Sequence, residues 1–192
     1  MFNDRYGLTE AVLDGRKTMT RRIIAANAEK TFSFWSIVKM CWRVIFSIRG
    51  KQAALSRYAR GEVVAIAQSY KDVHRACNPN DVRYKPYCTA YSVGFLEATN
   101  GWNNKMFTRA DIMPHHIKIT DIKVERLQDI PEEECLREGI RPCNFGKKFT
   151  PGDTRAYNTA REAFASLIDK VGKKGTWSSN PWVFCYSFEL ID

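Results

Sequence analysis

Eight residues, Gly15-Arg16-Lys17-Thr18-Met19-Thr20-Arg21-Arg22, set four cations and two hydroxyl side chains against a glycine turn with no carboxylate among them. Side chains of these types suit an anion or a nucleobase, because the cations supply charge and the hydroxyls can both donate and accept hydrogen bonds. Lys17 and Thr20 can converge on one small site if the segment runs from a turn into a loop or a first strand. The competing reading is a solvated basic turn beside the negative end of a helix dipole.

The elements around the cluster decide between these readings. Leu8-Thr9-Glu10-Ala11-Val12-Leu13-Asp14 reads as a short helix, with Thr9 as its N-cap and Gly15 as a left-handed stop. Val63 to Tyr70 and Ile117 to Leu127 have strand-like β-branched content, and the second changes phase between Ile119 and Ile122 as a bulge would. Pro131-Glu132-Glu133-Glu134 opens a helix with proline at its first position and acids in its first turn. Asp153 to Val171 carries apolar residues at helical spacing, with Gly172 as the stop. Residues 71–111 have no clean period and read as a long insertion. The apolar run Phe32 to Ile48 reads as an inserted core or partner-facing helix, because Lys39 and Arg43 interrupt it and it is too short to span a bilayer.

Gly15-Arg16-Lys17-x-x-Thr20-x-Arg22 resembles the signature of the ASCH domain, a PUA-like β-barrel family associated with RNA. Three further blocks are similar to that family in the same order: Tyr58 to Ala67 with its Gly61-Glu62 turn, Ile119 to Ile130 followed by Cys135 to Ile140, and Asn180 to Glu189. The last block looks like the closing strand of longer bacterial and phage members. The resemblance implies an α+β fold, a PUA-like (ASCH) β-barrel with flanking helices. All 192 residues would form a single domain with insertions at about 23–57 and 71–111. It also implies chemistry. A small bacterial branch with a similar motif removes the acetyl group of N4-acetylcytidine, and its catalytic Lys, Thr and Glu would fall on Lys17, Thr20 and Glu138. In that scheme a lysine of depressed pKa, helped by Arg16, Arg21 and Arg22, deprotonates the threonine for attack on an amide, and the glutamate protonates the amine or orients water. Many relatives carry Glu and Trp where this chain has Gln68 and Tyr70, so the implied pocket wall differs here.

A second expectation is RNA binding without catalysis. Basic side chains would hold phosphates, with Lys105, Arg109, His115 and His116 extending the track. Trp102, Tyr70 or Trp182 would stack on an unpaired base. Trp102, in a polar turn, is the better stacking ring, whereas Trp182 starts a strand and suits the core. RNA cleavage by Lys17 and Glu138 is a third reading that the residues leave open.

Composition bounds these readings. A chain of 192 residues is long enough to bury roughly two-thirds of its unfolded surface. Residues 1–60 hold twelve Lys or Arg against four Asp or Glu, so eight of the nine net positive charges belong to the end that carries the motif. Such asymmetry favours nucleic acid or another polyanion as partner, with solubility as the alternative role, and the resemblance narrows the expected partner to RNA, a nucleoside or a nucleotide. The six cysteines show no CxxC pair, and no secretory leader is recognisable; reduced thiols and a cytoplasmic location are expected, with no membrane span. His74, Cys77, Cys88, His115 and His116 are spaced too loosely for a zinc site, so no metal or cofactor is expected.

Overall fold

Helix α1 (Leu8–Leu13) forms where the sequence places it, but Gly7 rather than Thr9 occupies its cap position. The Thr9 hydroxyl instead donates to Asp4 Oδ1 at 2.5 Å, tying the helix to the turn before it. Gly15 follows the helix with a φ of 71°, the left-handed stop its position suggested. These elements belong to a computed structural model that describes residues 2–24, 56–77, 93–143 and 146–191. The expected helix over Phe32 to Ile48 lies outside the described residues.

Four antiparallel strands form the main sheet: β1 (Met19–Ile23), β2 (Val63–Ala65), β3 (His116–Arg126) and β6 (Trp182–Leu190), in the order β1-β6-β3-β2. Strands β4 (Arg141–Pro142) and β5 (Phe149–Thr150) form a separate ribbon. The main sheet curls into half a barrel, so the chain is a mixed helix and sheet protein of barrel-like shape. The phase change read from β3 is a real irregularity: Ile119 pairs with Phe188 and Asp121 with Ser187, leaving Thr120 as the extra residue. Because of it, Ile117 and Ile119 before the bulge and Ile122 and Val124 after it all pack on the same core as Phe184, Tyr186 and Phe188. On the opposite face, Val183 meets Leu127, Ile130, Cys135, Phe164 and Leu167, which brings in the helices.

Those helices are α4 (Glu132–Arg137) and α5 (Ala160–Val171). Pro131 caps α4 from one position earlier than expected. Helix α5 begins seven residues later than its apolar spacing implied. Thr159 caps it, accepting from Glu162 N at 3.1 Å, while Tyr157 upstream bonds back to Phe149 as an isolated bridge. A short α6 (Thr176–Ser179) follows, and Trp177 packs edge-on against Phe164.

The strand expected over Val63 to Tyr70 stops at Ala65. Ser69 then caps helix α2 (Tyr70–Ala76), accepting from Asp72 N at 3.2 Å and donating to Asp72 Oδ2 at 2.6 Å. Local capping chemistry outweighs β propensity there. The described part of the 71–111 insertion is structured: α2, α3 (Val93–Glu97) and three 3-10 turns surround a third cluster of Tyr70, Val73, Leu96, Ile112 and Met113. Among the described residues no helix is long and apolar enough to cross a membrane.

Candidate functional site

The segment entering β1 is pinned to the end of α4. Thr18 N donates to Arg137 O at 2.9 Å, and Arg137 Nε donates to the Thr18 hydroxyl at 3.1 Å. Lys17 is thereby laid over Glu138, the residue that ends α4. Its Nζ donates to Glu138 Oε2 at 2.6 Å and to the Glu138 carbonyl at 2.7 Å. Both side chains are buried, with Lys17 3% and Glu138 4% exposed.

Strand alternation then sends Arg21 to the same buried side. It donates from NH1 to Glu138 Oε1 at 3.0 Å, from Nε to Glu125 Oε1 at 2.9 Å, and from NH2 to both Glu125 and Glu134. Lys123 bonds Glu134 Oε1 at 2.7 Å and pairs with Glu125 Oε2 at 3.0 Å. Arg21 and Lys123 are each in register with Cys185 on the strand between them. Three cations and three carboxylates therefore close on one another between the sheet and α4. The carboxylates missing from the Gly15–Arg22 stretch are supplied by β3 and α4, and this has a cost for the anion-binding reading: Lys17 and Arg21 are spent inside the protein.

Burial dominates the electrostatics. It pushes the Lys17 ammonium below its ordinary value against the pull of Glu138, and the positive charges of Arg22 and Arg21 push the same way. Burial also raises the Cys185 thiol to about 12, with Glu138 and Glu125 adding to the rise and Arg21 and Lys123 opposing it. Glu125, Glu134 and Cys185 could present ligand atoms to one ion, the only such group among the described residues. However, Arg21 and Lys123 already hold those carboxylates and the thiol keeps its proton, so this donor set does not fit a resident cation. His74, Cys77, His115 and His116 do not form such a group, and Cys88 lies outside the described residues.

Thr20 points elsewhere. With Arg22, Phe2, Tyr58, Ile66 and Tyr186 it lines a cavity of about 30 Å³ inside the curl of the sheet. Lys17 and Glu138 do not line it. The Phe2 ring touches both neighbourhoods, lying 5.9 Å from Lys17 Nζ while it walls the cavity and packs 5.7 Å from Phe188. The expected catalytic trio is thus a bonded Lys17–Glu138 pair and a Thr20 in the adjoining cavity.

The chain matches no family model, no curated protein and no solved structure. Its likeness to ASCH proteins rests on the motif residues alone.

The remaining expected contact residues scatter. Arg16 is exposed and paired with Asp14 at 2.9 Å, whereas Arg22 reaches the cavity. Gln68 is buried with its Oε1 unbonded. Tyr70 opens a helix, its hydroxyl accepts from Arg109 N at 3.1 Å, and its ring lies so close to Gly101 that a Cβ there would sit 2.4 Å from it. Trp102 is half-buried against the same cluster, 6.0 Å from the His74 ring. Lys105 holds the N-terminal segment, bonding the Phe2 carbonyl, Asp4 Oδ1 at 2.7 Å and the Thr9 hydroxyl at 3.2 Å. Trp182 carries the Arg126 guanidinium 4.4 Å over its ring. Residue types alone did not single out Glu125, Glu134, Lys123, Phe2 or Tyr58. The one legible signal was the four-residue spacing of Glu134 and Glu138, which puts two acids on one helix face.

Proposed function

We propose that the chain is a PUA-like, ASCH-type protein that binds a nucleoside, free or within RNA, and hydrolyses an amide on it, with N4-acetylcytidine as the model substrate. The observation that carries this reading is the buried Lys17–Glu138 pair, in which desolvation moves the lysine toward its neutral, basic form. Because Lys17 does not line the Thr20 cavity, neutral Lys17 would take the Thr20 proton through an intervening water as the hydroxyl oxygen attacks the amide carbonyl. The C–N bond breaks, the amine leaves with a proton relayed through the Lys17–Glu138 pair, and water then releases the acyl group from Thr20. The cavity has room for roughly one or two waters, which suits a two-carbon acyl group rather than a base. The base would rest at the mouth, near Arg22 and Tyr58.

Incubation of the protein with N4-acetylcytidine, followed by chromatography, tests the reading. Deacylation is expected in the parent chain, is lost in Lys17→Ala and Thr20→Val, and partly returns in Thr20→Ser. Its rate falls as pH drops, because the attacking step needs Lys17 unprotonated. Turnover that survives Lys17→Ala, or is absent from the parent chain, refutes the hydrolase. One observation favours RNA binding without turnover: Lys17 does not line the cavity that holds Thr20. Under that reading, nucleoside or RNA binding persists in every variant above and no product forms.

A further inference from the structure

We propose that a second site, separate from the Thr20 cavity, takes a phosphate monoester in the cleft between the N-terminal turn Asp4–Tyr6, the 152–155 turn and the end of α5. The cleft is open to solvent, spans about 570 Å³ and is lined by Arg5, Tyr6, Asp153, Thr154, Arg155 and Lys170 together with Gly152. That volume lies within the range of small-molecule sites. It shares no lining residue with the Thr20 cavity.

Charge identifies the occupant. Three cations face one carboxylate, and the carboxylate is already engaged: Asp153 Oδ1 accepts from Arg155 N at 3.1 Å and Oδ2 from Lys170 Nζ. Asp153 therefore fixes the turn and aims the lysine; against burial, the Arg155 charge helps the Lys170 bond to hold its carboxyl low, but its one ion pair among the described residues is with Lys170. Among the described residues the guanidinium groups of Arg5 and Arg155 form no ion pair. The lining carries a surplus of two positive charges, which matches a phosphate monoester at about −1.5 to −2 near neutral pH. Two unpaired guanidinium forks suit its oxygens better than point charges would.

Packing fixes the cleft walls. A Cβ on Gly152 would lie 2.6 Å from Tyr6 O, so the two turns touch with no room for a side chain between them. Arg5 and Arg155 are thus mounted on two turns in contact, so the ligand has the two arginine side chains to order rather than the backbone that carries them.

Titration calorimetry of the full chain at low salt with adenosine 5′-monophosphate, and with adenosine as the uncharged control, tests the assignment. The monophosphate is expected to bind saturably and at least about tenfold more tightly than adenosine. The Arg5→Ala/Arg155→Ala double variant should weaken it by about 10- to 100-fold, whereas Arg75→Ala, which removes an exposed cation on α2, should change it less than about twofold. Affinity should fall as pH drops through about 6, where the ester loses its second charge. Both arginines are exposed, so the double variant should keep the parent melting temperature. Absence of saturable binding, equal affinity for adenosine, or equal loss in Arg75→Ala and the double variant would overturn the site.

Discussion

At the scale of single residues, the Lys17–Glu138 pair is a liability to stability unless both partners are present. Two ions leave water to form it, and what offsets that desolvation is a 2.6 Å contact plus the Arg21 bond to the other carboxylate oxygen. Glu138→Gln removes the negative charge and leaves Lys17 and Arg21 facing a neutral amide in a site where water cannot substitute. A loss of about 3–5 kcal/mol is expected, read as a lower urea midpoint with unchanged slope. Adding Lys17→Met to that variant should recover a large part of the loss, since the orphaned charge is then gone. If the double variant is no more stable than Glu138→Gln, the pair is not coupled as its geometry requires. The same residues show where sequence reading stops. That Lys17 is buried follows from a turn, a strand edge and a helix end meeting, and none of these is local to the Gly15–Arg22 stretch.

At the scale of elements, features governed by local chemistry were legible and those governed by long-range packing were not. The β3 bulge was readable because Ile117, Ile119, Ile122 and Val124 keep one core face only if an extra residue intervenes, and Thr120 is that residue. The start of α4 was readable from Pro131 and its acids. The α5 start was misread because Ala156 and Tyr157 continue its apolar spacing, although Tyr157 is bonded to Phe149 outside the helix. The end of α4 yields a prediction of its own. Gly139 has a φ of 103°, and a Cβ on it would lie 3.2 Å from Leu8 Cδ2 and 3.6 Å from Lys17 Cδ. Gly139→Ala therefore combines backbone strain with crowding beside the residue whose carbonyl accepts from Lys17, and should cost about 1–3 kcal/mol. Gly15→Ala is the reference: its φ is 71° but nothing lies within 4 Å of the added carbon. Thermal unfolding of both should place Gly139→Ala well below Gly15→Ala; equal melting temperatures would mean that the α4 end does not press on Leu8.

At the scale of the whole molecule, the net charge of +9 and its concentration in residues 1–60 raise the expectation of a polyanion partner, yet the fold divides the four cations of Gly15–Arg22 into two kinds. Lys17 and Arg21 neutralise buried carboxylates, whereas Arg16 and Arg22 remain exposed to solvent. Only the exposed kind can release counterions from a polyanion, so under the proposed RNA-binding reading the motif contributes less than its four cations suggest. This separates the two classes by salt dependence. In binding to a single-stranded RNA across a salt series, Arg22→Ala should lower the slope of log K against log salt by about 0.7, the single-strand value per phosphate contact, whereas Lys17→Met should leave the slope unchanged. Lys17→Met leaves Glu138 buried with Arg21 as its remaining cation, so it melts lower than the parent chain and the series is run well below that midpoint; Lys17→Glu is unsuitable because it would add a carboxylate to the cluster. A slope reduced equally by Lys17→Met would mean that the lysine leaves Glu138 to meet phosphate, and the buried pair would then be one state of a mobile residue rather than its resting place.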